Sequence, residues 1–315
     1  MEVTFLGTSA GVPTRQRNVS AVALRLAERG EAWLFDCGEG TQQQVLRSQL
    51  KISQITRIFI THMHGDHFFG LPGLLATAGM AGHAERIDVY GPPEIKGFVQ
   101  ESFRLSEGRF GYSLNIHAVK EGLVYEDEDY VVTCRQLKHR IPAFGYRVTE
   151  RMRPGALDVE KARALNIPSG PIYGRLKNGE KVTLPDGRTF DGKEFCGPPK
   201  QGRSFVYCTD TIYCKSAVEL ARDADVLVHE ATYAVCDQDL AVRSLHSTTE
   251  MAARVALEAN VRQLLITHFS PRYAPGGPVE PEELLREARA IFPNTLMARD
   301  FFIYEIPRRL AASDE

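Results

Sequence analysis

Short apolar runs and helical periods alternate along most of this chain. Residues 3–6, 19–26 and 32–35 are runs rich in β-branched and aromatic side chains, separated by turns around Gly11, Pro13 and Gly30, and they predict three early strands. Residues 41–50 carry a helical period and lead into a buried strand at 57–61. The pattern predicts a helix at 70–81, a strand at 87–90, a helix after the Gly91-Pro92-Pro93 turn, and strands at 114–119 and 130–137. From about 150 to 202 the chain turns rich in Gly, Pro and Lys/Arg, with a short helix expected at 158–165 and a weak hairpin signal around Pro185-Asp186-Gly187. So long a weakly structured insertion is usually functional, and it reads as an arm on one α/β domain spanning 1–315. Alternation then resumes: strands at 204–208, 226–228 and 263–267, helices at 217–223, 248–259 and 281–291, and strand-like runs at 295–297 and 301–304.

Composition narrows the class. The chain has 315 residues, of which 43% are hydrophobic and 25% charged, an ordinary globular balance that excludes a disordered or fibrous protein. No apolar run reaches the roughly 18 residues of a membrane span, and the start of the chain does not read as a signal peptide. Six scattered cysteines without a CxxC pair fit free thiols in a reducing cytoplasm. The net charge of −2 hides an asymmetry: residues 150–203 hold eleven Lys/Arg against seven Asp/Glu, so the remainder is net acidic. That basic segment is a candidate contact for phosphate groups, with a solvated surface as the plainer alternative.

The histidines carry the sharper signal. His62-Met63-His64-Gly65-Asp66-His67 follows an apolar strand and precedes a helix, so four ligand-type side chains stand on one strand-to-helix turn. They cannot all reach one tetrahedral ion, and two neighbouring ions are the natural solution. His139, Asp210 and His268 repeat one context, a ligand type at the C-terminal end of an apolar strand, where sites of layered α/β folds lie. An aspartate with two oxygens can bridge two cations. His83, in a Gly/Ala-rich loop, and His117, within an alternating strand, read as ordinary structure.

With Asp36 at the end of the third strand, these positions resemble the metallo-β-lactamase superfamily and, within it, the ribonuclease Z family of tRNA 3′-processing endonucleases. The narrower signals are Pro13-Thr14-Arg15-Gln16-Arg17-Asn18, similar to the family's P-x-K-x-R-N loop with Arg15 where Lys is commoner; His229-Glu230-Ala231-Thr232; Leu245-His246-Ser247-Thr248; and a Gly-Pro motif at Gly170-Pro171 within the basic segment. The resemblance implies an αββα sandwich with a dinuclear zinc site, two Zn²⁺ per subunit. His62, His64 and His139 would hold one ion, Asp66, His67 and His268 the other, and Asp210 both, with Asp36 in support. It also implies that Arg15, Arg17, Asn18, Gly170 and Pro171 bind tRNA, that residues 150–202 form a protruding tRNA-binding arm, and that the protein is a homodimer.

The activity so implied is removal of the 3′ trailer from precursor tRNA by metal-activated hydroxide, leaving a 3′-hydroxyl on the tRNA. Asp66 would orient the nucleophile or take its proton, and His246 would protonate the leaving oxygen, with His229 and Glu230 as its polar support. Two alternatives stand beside this: a small-substrate phosphodiesterase or arylsulfatase-like hydrolase of the same fold, which would not need the basic arm, and a non-catalytic RNA-binding relative, which would not need the full ligand set. A redox di-iron relative is disfavoured because no Glu lies between His62 and His67.

Overall fold

The computed structural model describes residues 1–82 and 85–308; His83 lies outside them. The strands are β1 (Glu2–Gly7), β2 (Ala21–Leu26), β3 (Glu31–Phe35), β4 (Ile55–Phe59), β5 (Arg86–Gly91), β6 (Ser113–Ala118), β7 (Gly122–Glu126), β8 (Tyr130–Leu137), β9 (Ala143–Glu150), β10 (Lys181–Thr183), β11 (Thr189–Asp191), β12 (Ser204–Cys208), β13 (Val226–Glu230), β14 (Gln263–Thr267), β15 (Thr295–Met297) and β16 (Ile303–Glu305). The helices are α1 (Thr41–Arg47), α2 (Gly65–Phe68), α3 (Leu71–Met80), α4 (Glu94–Leu105), α5 (Val159–Ala164), α6 (Pro171–Lys177), α7 (Lys215–Ala221), α8 (Gln238–Ser244), α9 (Thr249–Glu258) and α10 (Pro281–Ile291). They gather into two compact units: residues 1–126, 131–148 and 204–306 form the first, and the second is built mainly on 127–130 and 149–203.

The first unit stacks two seven-stranded sheets, ordered β16-β1-β2-β3-β4-β5-β6 and β15-β14-β13-β12-β9-β8-β7. Both contain a parallel block, β3 through β6 in one and β12 through β15 in the other. Strands buried on both faces read as near-continuous apolar runs, which is why 57–61, 204–208 and 263–267 stood out. Aromatic rings fill the space between the sheets: Phe35 lies 5.1 Å from Phe205 and 5.7 Å from Tyr207, and Phe59 5.4 Å from Tyr146. Helices α1, α3 and α4 cover the outer face of one sheet through Val45, Leu71, Leu75, Ile95 and Val99. Helices α7, α9 and α10 cover the other through Val218, Leu220, Val255 and Leu284. The result is the expected αββα layering. Local chemistry agrees with it: Thr248 caps α9 by accepting from the Met251 N–H, and α10 opens with Pro281 followed by two acids.

The second unit departs from the weakly structured segment expected at 150–202. Besides the short helix, now α5 with its Asp158 cap, and the hairpin β10–β11, it contains α6. Ala162, Ile167, Leu176, Val182, Leu184 and Phe195 close into a small core of its own. Gly170 and Pro171 start α6: the glycine takes φ 126°, and Pro171 occupies a first-turn position where its missing N–H costs nothing.

Candidate metal centre

Five strands of the first unit end at one cluster. Asp36 follows β3, His62 follows β4, His139 follows β8, Asp210 follows β12 and His268 follows β14. Asp36, Asp210 and His268 leave their strands in the left-handed region, with φ of 59°, 52° and 60°. Asp and His enter that region more readily than most residues, yet each still costs about 1 kcal/mol or more. Three strained backbones at one site are what a functional geometry imposes on a sheet edge.

The turn carrying His62 to His67 is pressed against the Asp36 loop. A Cβ at Gly38 would lie 2.2 Å from the Asp66 carbonyl oxygen, and one at Gly70 would lie 2.1 Å from the Gly38 carbonyl oxygen. A Cβ at Gly65 would meet the Phe69 ring at 2.3 Å, and that ring is exposed and can swing aside.

Partners of the ring nitrogens set which one faces the centre. The Asp36 carboxylate, fully buried, accepts from the Thr61 N–H (2.8 Å), the Thr61 hydroxyl (2.9 Å), His67 Nδ1 (2.8 Å) and the Tyr207 hydroxyl (3.1 Å). With its proton committed to Asp36, the Thr61 oxygen accepts from His62 Nδ1 (2.9 Å). His139 Nδ1 donates to the Leu245 carbonyl (3.1 Å), and His268 Nδ1 lies 2.9 Å from the Thr232 hydroxyl. Four imidazoles thereby turn Nε2 inward, while His64 presents Nδ1, 3.0 Å from His62 Nε2 and 3.2 Å from His139 Nε2.

Asp210 sits between two sets of these atoms. Its Oδ2 lies 3.4 Å from His62 Nε2 and 3.8 Å from His139 Nε2; its Oδ1 lies 3.2 Å from His67 Nε2 and 3.2 Å from His268 Nε2. Asp66 Oδ2 is 3.3 Å from His67 Nε2 and 3.6 Å from His268 Nε2, and it accepts from the Gly11 N–H at 2.8 Å. His62, His64, His139 and Asp210 form one group of potential ligands, Asp66, His67 and His268 another, and Asp210, His246 and His268 a third that shares members with both, the atoms of each lying within 4.8 Å of one another. Among the described residues, His67 Nε2 and His268 Nε2 are buried without a hydrogen-bond partner. A cation at those positions removes that penalty, and an all-N/O donor set suits zinc and similar divalent ions.

Electrostatics point the same way. Burial pushes His62 and His64 down and His139 down to about 4, toward the neutral ligand form. Burial alone would raise the Asp66 and Asp210 carboxyls, but the neighbouring histidines hold both far below the carboxylate range. Burial likewise opposes charge on His67, and the carboxylates of Asp210, Asp66 and Asp36 outweigh it and raise its pKa. The site demands positive charge.

His246 stands beside this cluster, with Nε2 4.0 Å from Asp210 Oδ2. Its Nδ1 donates to Glu230 Oε1 at 2.8 Å. Glu230 is fully buried and also accepts from the backbone N–H groups of Thr211, Thr232 and Ser247. Burial opposes protonation of His246, but the Glu230 charge and hydrogen bond push its pKa up to about 9. His229 does not join this pair. Neighbours on a strand face opposite sides, so its ring points away from His246: its Nδ1 donates to the Glu230 carbonyl, and its Nε2 is buried without a partner among the described residues. Tyr207, Thr61 and Thr232 are site residues that the sequence reading did not single out. The last two sit within or next to its motifs; nothing signalled Tyr207.

The loop with the proline-arginine motif is divided. Arg15 is exposed. Arg17 turns inward, donating to the Thr8 hydroxyl (2.7 Å) and the Ala298 carbonyl (2.8 Å) under the Phe269 ring. The Asn18 amide donates to the Glu39 carbonyl (2.8 Å). In the second unit Gly170 and Pro171 are exposed. His117 bonds Asp88 at 3.1 Å, an ordinary structural role.

An αββα sandwich with clustered His and Asp ligands at its strand ends defines a metal-dependent hydrolase of the metallo-β-lactamase type, and the chain matches the Metallo-beta-lactamase superfamily over residues 14–188 and the Beta-lactamase superfamily domain over 195–269. It is 63% identical to the ribonuclease Z of Nostoc punctiforme over 98% of this chain and 97% of that one, and 62% identical to the ribonuclease Z of Synechocystis sp. over 99% and 96%. The crystal structure of the short form of human tRNase Z matches with a TM-score of 0.70 at 33% identity, covering 98% of this chain and 100% of that one. The chain belongs to the ribonuclease Z family, and is an endoribonuclease with a metal cofactor.

Proposed function

We propose that the chain removes the 3′ trailer from precursor tRNA with two zinc ions per subunit, leaving a 3′-hydroxyl on the tRNA. The observation that carries this is Asp210, whose two oxygens each face a different set of inward-turned histidines. His62, His64 and His139 would hold one ion, Asp66, His67 and His268 the other, and Asp210 both. When bound, such a pair supplies an acidified water at neutral pH and Lewis-acid stabilisation of the phosphodiester oxygens. The chain's own groups order the proton traffic. Asp66, ionised and fixed by the Gly11 N–H, orients the attacking water. His246, aligned by Glu230, donates a proton from Nε2 to the departing 3′ oxygen.

The exposed cations of the second unit, including Arg163, Arg175 and Lys181, support its reading as the arm that grips folded tRNA by its backbone. A homodimer in which one subunit's arm serves its partner's site is part of this reading and rests on the family resemblance. Six free cysteines support a reducing, cytoplasmic setting. Among the described residues no helix is long and apolar enough to cross a membrane.

His246→Ala tests the mechanism. The variant keeps its bound metal, and single-turnover cleavage of precursor tRNA falls about 10²–10⁴-fold, as for loss of a general acid. A nitrophenyl phosphodiester, whose leaving group departs without a proton, loses far less. Loss of metal would make His246 a ligand, and equal losses on both substrates would remove its role as proton donor.

A further inference from the structure

The Thr232 hydroxyl stands between the two halves of the site. Its oxygen lies 2.5 Å from Glu230 Oε2, 2.9 Å from His268 Nδ1 and 3.5 Å from His246 Nδ1, and the residue is buried. A hydroxyl has one proton, and its direction here is forced. Glu230 is held as an acceptor by three backbone N–H groups and by His246 Nδ1, and its carboxyl pKa is lowered: burial would raise it, but His246 outweighs that. An ionised carboxylate only accepts. Thr232 therefore donates to Glu230, and its oxygen is left to accept from His268. His268 must then carry its proton on Nδ1, which frees the buried Nε2 facing Asp210.

We propose that Thr232 is a positioning residue that fixes His268 in its metal-binding tautomer and ties that ligand to the Glu230–His246 pair through one hydroxyl. The chain of bonds runs from His268 to Thr232, from Thr232 to Glu230, and back to Glu230 from His246. This rests on the metal-site reading above and adds that the carboxylate aligning the proton donor also sets a metal ligand. Outer partners of metal-bound histidines act in this way, and their removal typically lowers metal affinity about 10–100-fold.

The test uses the full chain as wild type, Thr232→Val and Thr232→Ser. Zinc titrated against a chromophoric chelator reads affinity and stoichiometry. Valine keeps the shape and removes both bonds, so one of the two ions binds about 10–100-fold more weakly while the other is unchanged. Serine restores most of the affinity. Long-range ¹H–¹⁵N spectra of the zinc-loaded wild type place the His268 proton on Nδ1. A valine variant that binds both ions like wild type overturns the proposal, as does a serine variant as weak as valine, which would reduce Thr232 to packing. Should the valine variant fail to fold, the wild-type spectrum decides alone: a His268 bound through Nδ1 overturns it. A wild type that takes up no zinc sinks the metal-site reading itself, whereas two ions bound with the same affinities in wild type and valine variant sink only this inference.

Discussion

Replacing Asp36 by Asn exchanges one carboxylate oxygen of a fully buried side chain for an NH₂ group and sets its consequence by hydrogen-bond direction alone. The carboxylate accepts every bond it makes: from the Thr61 N–H and hydroxyl on one side, and from His67 Nδ1 (2.8 Å) and the Tyr207 hydroxyl (3.1 Å) on the other. An amide that keeps its oxygen toward Thr61 turns its NH₂ toward His67, setting donor against donor. The flipped amide sets the same conflict against the Thr61 backbone N–H. His67 can relieve the first only by moving its proton from Nδ1 to Nε2, the atom that faces Asp210 Oδ1 at 3.2 Å and Asp66 Oδ2 at 3.3 Å. That proton competes with a cation for one lone pair. The expected loss is about 10–100-fold in affinity for one ion, or roughly 1.4–2.7 kcal/mol, comparable to the roughly 1.5–3 kcal/mol of one hydrogen bond to a charged group. Zinc titration against a competing chelator reads it directly, with one ion weakened and the other retained through His62, His64 and His139. Tyr207→Phe removes the longest of these bonds and leaves His67 its acceptor, so its loss stays below about tenfold. Two ions bound to Asp36→Asn at wild-type affinity would refute the tautomer argument.

Replacing residues 151–200 by a short linker is favoured by the close pairing of the Glu150 N–H with the Arg203 carbonyl at 2.8 Å; hydrolysis of a nitrophenyl phosphodiester then survives, while kcat/KM for precursor tRNA falls by orders of magnitude, mainly through KM. Equal losses on both substrates would mean that the segment builds the catalytic groove. Glu150 itself is fully buried against Arg203 (2.8 Å) and Arg308 (3.4 Å). Burial would raise its carboxyl, but the Arg203 bonds hold it below its ordinary value, so its stabilising contribution is complete above the usual carboxylate range and fades as pH falls through the still lower folded-state value. Denaturant unfolding from pH 7 to pH 3 should show wild type losing more stability than Glu150→Gln, which is already about 1–3 kcal/mol weaker at pH 7; parallel curves would contradict this.

What could be read in advance was the part encoded by local pattern. A ligand type directly after a buried apolar run marks a strand end, and all five such positions met. Direction was harder to read. Arg17 and Asn18 are polar residues in a loop, and nothing in their order says that Thr8, Ala298 and Glu39 supply their partners. His229 and Glu230 are a case where the pattern did contain the answer, since adjacent strand residues cannot both face His246. Strand β9 is hard to read because Gly145 interrupts its alternation; a Cβ there would crowd the side chains of Leu220 (2.8 Å), Cys208 (3.1 Å) and Leu137 (3.2 Å). Helix α6 was missed because Pro171 and Gly174 weaken its helical propensity, although a proline in the first turn is well tolerated. Strand β7 and helix α8 are short elements whose apolar positions make no clear period. The core of the second unit draws six residues from 162–195 at irregular spacing, and only tertiary contact brings them together.

The most direct test of the account is to map both ends of the cut made by the purified protein in one precursor tRNA, with and without a zinc chelator. A single zinc-dependent cut is expected at the 3′ boundary of the folded tRNA, leaving a 3′-hydroxyl on the tRNA and a 5′-phosphate on the trailer. A 2′,3′-cyclic phosphate on the tRNA, or cleavage undiminished by the chelator, would contradict it.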